Sequence, residues 1–171
     1  MIVPRYRIDA SRIPGAGKGL FVDEPVPRGA VIVAPDKVHT VWPEERLRQL
    51  PPDSKEVESS VRWFEHWFSL TPEWSDECYV NHSFAPTALW HLGFIFALGD
   101  LAQGTEVTMD YRYVIGDGER MPFADAETGR EIVGLPWPEA LTASARTLVE
   151  LLGERALDRV NAENTQRPQT G

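Results

Sequence analysis

The most informative stretch of this sequence is Tyr79-Val80-Asn81-His82-Ser83-Phe84-Ala85-Pro86-Thr87. An asparagine side chain donates and accepts hydrogen bonds at the same time, so Asn81 is suited to hold a polar group of a bound ligand. The residues Asn81-His82-Ser83 also form an N-glycosylation sequon, but no apolar signal segment accompanies it, which disfavours that interpretation. A histidine beside aromatic residues is also compatible with a hydrogen-bonded role in the core. We therefore expect a ligand site here, with His82 partly structural.

Two further segments belong with this stretch, one upstream and one downstream. They are Gly15-Ala16-Gly17-Lys18-Gly19-Leu20-Phe21 with the turn Val26-Pro27-Arg28-Gly29, and Ala97-Leu98-Gly99-Asp100-Leu101-Ala102-Gln103-Gly104-Thr105-Glu106-Val107-Thr108-Met109-Asp110-Tyr111. Glycines let the main chain turn sharply and let its N–H and C=O groups approach a ligand closely. Taken alone, the glycine pattern is also compatible with an ordinary turn. It lacks the Lys-Ser/Thr ending of a phosphate loop, and no Rossmann repeat follows it.

Together the three segments resemble the SET-domain family of protein-lysine methyltransferases. The first is similar to the family's G-x-G-L-F strand and P-x-G turn. The second is similar to F-I-N-H-S-C-x-P-N, and the third to A-L-R-D-I-x-x-G-E-E-L-T-F-D-Y. The resemblance covers residues 6–113, roughly two-thirds of the chain. It implies a mainly β fold of the β-clip type with a few helices, in which the second and third segments meet in a knot-like crossing.

The resemblance also implies a methyl donor, S-adenosylmethionine, which is converted to S-adenosylhomocysteine. Tyr111 corresponds to the family's catalytic tyrosine, and the positions that correspond to donor-binding residues are Ala16, Gly17, Lys18, Gly19, Asn81, His82 and Tyr111. Tyr79 and Met109 are expected to form walls of the substrate-lysine channel. The expected substrate is a basic, lysine-containing protein or peptide. The alternative is a non-catalytic SET-fold module that binds S-adenosylmethionine or a basic peptide without turnover.

Some positions depart from the family pattern. Phe84 replaces the usual cysteine and no cysteine-rich tail follows Tyr111, so the zinc-binding cap of many members is absent from this sequence. We expect no metal, because Cys78 is the only cysteine and the four histidines show no ligand spacing. Phe123 and Trp137 are candidates to close the lysine channel in place of the cap, with buried packing as the alternative role for either.

The composition limits the class of partner. The chain has 171 residues, and 17 Lys and Arg against 26 Asp and Glu give a formal charge of −9. A charge of this sign repels polyanions and suits a cationic substrate, although it also serves simply to keep a small protein soluble. Direct nucleic-acid binding is therefore not expected. With no long apolar segment, we expect a cytoplasmic protein without a membrane anchor. The sequence does not indicate an oligomeric state.

The chain divides into three predicted regions. Residues 1–115 form the SET domain, with a variable helical insert at about residues 36–75. Within the insert, an apolar stripe at helical spacing predicts one face of a core-packed helix: Val57, Val61, Phe64 and Phe68. Residues 116–153 form a flank whose helix begins at Pro138 and packs on the domain. Residues 154–171 are polar and are predicted to be a mobile tail.

Overall fold

The computed structural model describes residues 1–36, 40–70 and 74–166, except for the side chains of residues 154–166. Short strands dominate the described residues. The strands are β1 Tyr6–Ala10, β2 Lys18–Val22, β3 Val31–Val33, β4 Thr40–Pro43, β5 Ser60–Phe64, β6 Trp67–Leu70, β7 Asn81–His82, β8 Ala88–His91, β9 Phe94–Ala97, β10 Thr108–Met109, β11 Arg120–Ala124 and β12 Glu131–Val133. The helices are α1 Glu44–Leu47, α2 Lys55–Glu58 and α3 Trp137–Gln166, with 3-10 helices at Asp76–Tyr79 and Tyr111–Tyr113.

The strands form small sheets, most of them around the larger of two hydrophobic cores. Antiparallel pairing joins β1 to β2, β11 to β12, and the strands of two three-stranded sheets ordered β3-β9-β8 and β4-β6-β5. Four successive residues of β2 are buried, as is typical of a strand covered on both faces. The core includes Leu20, Val22, Ile32, Trp90, Ile95 and Ile132. The predicted fold, mainly β with a C-terminal helix, is confirmed.

A parallel pairing brings together two segments that are far apart in sequence. In β7 and β10, Asn81 pairs with Thr108, and His82 pairs with Met109. Two residues a strand make a weak ladder, and Thr87 reinforces it: its N–H donates to Thr108 Oγ1 at 3.0 Å, and its Oγ1 accepts from the Thr108 N–H at 2.9 Å. The segment that holds Asn81 and the segment that ends at Tyr111 thus lie side by side.

The predicted amphipathic helix in the insert is wrong. Residues 60–70 form the hairpin β5–β6, and the helices that the structure describes before it are α1 and α2, of one turn each. Aromatic and β-branched residues fit a pleated, half-buried surface, and Glu65 takes a φ of 46° to make the hairpin turn. Phe68 packs with Leu47 and Leu70 in a small second core. Residues 37–39 and 71–73 of the predicted insert lie outside the described residues.

The predicted C-terminal helix is present as α3. It docks beside β8, where the His91 Nδ1 and Ser144 Oγ atoms are 2.9 Å apart. Its buried positions include Ala140, Ser144 and Leu151, whereas Leu152, which the sequence places on the apolar stripe, is exposed. The helical backbone continues through Gln166, past the predicted start of the polar tail, and residues 167–171 lie outside the described residues. None of the helices in the described part of the chain is long and apolar enough to cross a membrane.

Candidate active site

A cleft of about 1560 Å³ opens where the parallel pair β7–β10 meets the glycine turn. Its walls include seven of the residues predicted from the sequence to form the site: Ala16, Lys18, Tyr79, Asn81, His82, Met109 and Tyr111. Gly17 and Gly19 are the two predicted residues outside the lining, although their neighbours belong to it. The fold therefore brings the predicted donor and channel positions to one place.

The glycine turn between β1 and β2 depends on backbone conformations that glycine adopts at little cost. Gly15 and Gly17 have φ values of 81° and 74°, in the left-handed region. The turn closes on itself, since the Ser11 N–H donates to the Gly17 carbonyl oxygen at 2.9 Å. Gly19 has a different reason to be glycine: a Cβ atom there would lie 2.3 Å from Glu106 Oε1. The start of β2 can pass this carboxylate only without a side chain.

Glu106 is the centre of a hydrogen-bond cluster that the sequence reasoning missed. Its side chain is buried and accepts from Ser11 Oγ at 2.6 Å, from the Arg12 N–H at 2.8 Å and from Asn81 Nδ2 at 3.1 Å. A buried carboxylate is costly unless donors surround it, and these three donors meet that need. Glu106 lies in the third motif segment, within Gly104-Thr105-Glu106, and this position could have identified it from the sequence. Ser11 lies outside the three motif segments, and no sequence pattern indicated its role.

Asn81 is oriented by the same cluster. Its Nδ2 donates to the Lys18 carbonyl oxygen at 2.9 Å and to Ser11 Oγ at 3.2 Å, besides Glu106. All three are acceptors, which assigns the nitrogen to that side of the amide. Among the described residues, no donor lies within hydrogen-bond distance of Asn81 Oδ1. This oxygen is therefore available to accept a hydrogen bond from a ligand in the cleft.

His82 connects the two paired segments. Its Nδ1 accepts a hydrogen bond from the Tyr111 N–H at 3.0 Å, and the two rings lie 5.4 Å apart. The Phe84 ring packs edge-on against the imidazole at 4.7 Å. Burial lowers the pKa of His82 despite nearby carboxylates. The imidazole is neutral near pH 7 and supports the backbone of Tyr111, in keeping with the partly structural role expected for it.

The Tyr111 hydroxyl faces the other strand of the crossing. It donates to the Val80 carbonyl oxygen at 2.8 Å, and burial raises the pKa of Tyr111 to about 12. Tyr111 begins a 3-10 helix that is capped by Asp110, whose carboxylate accepts from the Arg112 N–H at 3.0 Å. A phenol with this pKa remains protonated at physiological pH. It is suited to orient a ligand by hydrogen bonding and not to act as a base.

Tyr79 and Met109, the predicted channel walls, both line the cleft. Tyr79 ends a 3-10 helix, with the Lys18 ammonium 5.8 Å from its ring centroid and the Trp74 ring 6.3 Å away. Trp74 also lines the cleft, and nothing in the sequence pattern singled it out. Met109 is buried in β10. The cleft next to Tyr111 is thus walled by aromatic and apolar side chains.

The two residues considered for closing the channel differ in position. Phe123 lies in β11 on the cleft wall and is 49% exposed, so an apolar ring is available there. Trp137 instead begins α3 and packs under the buried Arg62 guanidinium, 5.7 Å from the ring centroid. Trp137 therefore has a packing role, which was expected from the sequence as the alternative to closing the channel. Within the described residues, no three His, Cys, Asp or Glu side chains are grouped so as to hold a metal ion.

A family model of the SET domain matches residues 17–112. The match covers more than half of the chain, and the protein belongs to the SET-domain family. Among solved structures, one described as ctPRC2 in complex with H3K27me3 and H3K27M contains a chain of similar fold, with a TM-score of 0.57 and 16% sequence identity. The likeness covers 80% of this chain but only 17% of that chain, and at this identity it establishes the fold alone. No curated protein matches the sequence.

Proposed function

We propose that this protein transfers a methyl group from S-adenosylmethionine to the side-chain amine of a lysine in a protein substrate, with S-adenosylhomocysteine as the product. The observation that carries the proposal is the β7–β10 pairing. It brings Asn81, His82 and Tyr111 to one cleft, although they come from separate motif segments. The cleft therefore holds both an amide acceptor and a neutral phenol, which this reaction can use.

The residues of the cleft fit the donor. Asn81 Oδ1 is the proposed acceptor for the donor's ammonium group, and the glycines at 15, 17 and 19 leave main-chain groups unobstructed beside Ala16 and Lys18, which line the cleft. The His82 main chain is the proposed contact for the adenine edge. When bound, S-adenosylmethionine supplies a methyl group on a positively charged sulfur. Methyl transfer from this sulfur to an amine is a direct displacement, and we propose that it proceeds without a metal.

The lysine amine must be uncharged to attack, and the cleft favours that state. A free lysine has a pKa near ~10.4 and is almost wholly protonated at neutral pH. Between apolar walls such as Tyr79 and Met109, desolvation lowers that pKa and the proton leaves to water. Tyr111 donates its own hydrogen to Val80, so its oxygen is left to accept from the amine and hold it in line. Most of the rate enhancement comes from this positioning.

The proposed substrate is a basic, lysine-containing protein or peptide. The formal charge of −9 favours a cationic partner over a nucleic acid. The solved structure of similar fold is described as a complex with H3K27me3 and H3K27M, which supports a lysine-bearing peptide as the class of ligand here. We further propose that the protein acts in the cytoplasm and not at a membrane.

Two measurements test the proposal. Calorimetric titration with S-adenosylmethionine should show binding that Asn81→Ala weakens by about ten- to a hundredfold, since one or two charge-assisted hydrogen bonds are lost. Gln103→Ala is the matched control, because it removes an amide from an exposed loop. Radiolabelled methyl transfer to whole lysate should then require the wild-type protein. Donor binding without transfer would indicate a binding module, and absence of donor binding would contradict the proposal.

A further inference from the structure

A buried contact links the SET domain to the segment that follows it. Asp125 lies at the turn between β11 and β12, beyond residues 17–112 that match the family model. Its Oδ2 atom is 3.7 Å from His82 Nε2, and each of the two side chains is only 3% exposed. A carboxylate and an imidazole that are both removed from water influence each other more strongly than a surface pair would.

The hydrogen bond on the other side of the ring defines the tautomer of His82. Because Nδ1 accepts from the Tyr111 N–H, Nδ1 carries no hydrogen, and in the neutral ring the hydrogen is on Nε2. Among the described residues, that buried Nε2 makes no hydrogen bond, and Asp125 Oδ2 faces it at 3.7 Å; the main chain of Met109 also acts on the ring. If the hydrogen moved to Nδ1, it would face the Tyr111 N–H and the hydrogen bond would be lost.

Asp125 is held with one oxygen toward His82, and the Phe84 main chain also donates to its carboxylate. Its Oδ1 accepts from the Thr128 N–H at 2.7 Å and from Thr128 Oγ1 at 2.5 Å, and Oδ2 faces His82. The other charged groups acting on the imidazole are Asp110 and Arg112, which form a two-pronged pair with each other. Asp110 favours the protonated ring and Arg112 opposes it, and Asp125 is the carboxylate that lies within 4 Å of Nε2.

We propose that Asp125 is a positioning residue that keeps His82 in its Nε2–H tautomer, so that Nδ1 holds the Tyr111 main chain and thereby its hydroxyl against Val80. The catalytic consequence rests on the proposed methyl transfer, but the structural relationship does not. The segment after the SET domain would then complete the site electrostatically, without contacting donor or substrate.

The most informative variant is Asp125→Asn, which preserves the shape of the turn. The new amide oxygen continues to accept from Thr128, since asparagine forms the same kind of turn as aspartate. The NH2 group of the new amide then faces the Nε2–H group of His82, so two hydrogen-bond donors oppose each other. We expect the imidazole to shift toward the Nδ1–H form. Asp125→Ala removes the carboxylate without adding a donor and should lower the tautomer ratio by about tenfold, a smaller effect. Thr128→Val is the control, because it weakens the turn but leaves the carboxylate facing the ring.

The readout is the ¹⁵N NMR spectrum of the His82 ring nitrogens, with the melting temperature recorded for each variant. We expect one protonated Nε2 and one unprotonated Nδ1 in the wild type and in Thr128→Val, and the reverse pattern gaining population in Asp125→Asn. An unchanged tautomer in Asp125→Asn would overturn the inference. If Asp125→Asn does not fold, the same spectrum of Asp125→Ala decides, and an unchanged tautomer there contradicts the inference equally.

Kinetics then separate this inference from the proposed function. In an active enzyme, Asp125→Asn should lower kcat by about tenfold or more with little change in donor affinity, while Thr128→Val keeps the wild-type kcat. Active enzyme with an unchanged tautomer and kcat in Asp125→Asn would overturn the positioning role and leave the transferase standing. A tautomer shift in a protein without transferase activity would overturn the proposed function and leave the Asp125–His82 relationship standing.

Discussion

The Tyr111 hydroxyl is hydrogen-bonded to the carbonyl oxygen of Val80, the residue directly before Asn81, at 2.8 Å. Tyr111 is also bound through its N–H to the His82 ring. Tyr111 is thus bound at two points to the segment that carries Asn81. The geometry of the candidate site follows from this crossing and not from either segment alone.

The loss of this hydroxyl should impair chemistry more than folding. Tyr111→Phe keeps a ring of nearly equal volume and removes the oxygen that would hold the amine. Positioning groups of this kind contribute about 2.7–4 kcal/mol, so the single-turnover rate should fall by about a hundred- to a thousandfold. Melting temperature and donor affinity should change little. Tyr113→Phe, in the same 3-10 helix, is the control and should retain activity; equal losses of rate and stability in Tyr111→Phe would favour a packing role.

The ionisation of Tyr111 should be displaced to high pH. Burial raises its pKa from about 10 in the unfolded chain to about 12 in the fold. The stability that the neutral phenol contributes is therefore complete below about pH 10 and is lost as pH rises through about 12. Absorbance titration of the wild type and of Tyr111→Phe should show that the substitution removes a late-titrating tyrosine. If it removes an ionisation near 10, the hydroxyl is not buried as described.

The close approach of β2 to Glu106 should make Gly19 intolerant of a side chain. In Gly19→Ala the new Cβ would meet Glu106 Oε1 at 2.3 Å, so the cluster that orients Asn81 must shift. We expect a loss of about 1–3 kcal/mol in the free energy of unfolding and weaker binding of S-adenosylmethionine. Gly99→Ala is the control, because nothing lies within 4 Å of a Cβ there. The same stability for both variants in urea denaturation would refute the close approach.

Arg62 should be among the most sensitive residues for stability. It is 0% exposed, pairs with Asp117 and donates to the Leu135 carbonyl oxygen at 3.0 Å, so it fastens β5 to the segment after the SET domain. Arg62→Met removes the donor to the Leu135 carbonyl oxygen, whereas Asp117 is 55% exposed and becomes hydrated, so the substitution should cost about 1–3 kcal/mol in denaturant unfolding. Arg120→Met, which breaks an exposed ion pair with Glu131, should cost less than about 1 kcal/mol. Similar costs for the two variants would show that the buried contacts contribute little.

The sequence predicted the crossing because its motifs carry the side chains that define it. Asn81 and Tyr111 lie in separate segments whose spacing and residue types indicate the family, and the family implies their meeting. Glu106 could have been recognised in the same way, since it belongs to the third segment. The donor and channel roles of these residues remain predictions, because the proximity of the side chains does not show which ligand they bind.

The sequence could not predict contacts made by residues outside the motifs. The stripe from Val57 to Phe68 fits a helix, yet aromatic residues also favour strands, and pairing with β4 decided the outcome. An arginine in such a segment is ordinarily exposed, and Arg62 is buried only because its partner, Asp117, lies 55 positions away. The contact between Asp125 and His82 likewise could not be predicted, because the two residues are far apart in sequence and only the fold brings them together. Long-range pairs of this kind leave no local periodicity to read.

The measurement that tests the central claim most directly is the mass of the substrate lysine after reaction. S-adenosylmethionine with a trideuterated methyl group would be incubated with lysate proteins and either wild-type enzyme or Tyr111→Phe, and tryptic peptides would be sequenced by mass spectrometry. The account predicts deuterated methyl groups on lysine side-chain amines with the wild type, reduced about a hundredfold or more with Tyr111→Phe. Deuterated methyl groups found on another residue type, or on no protein at all, would contradict it.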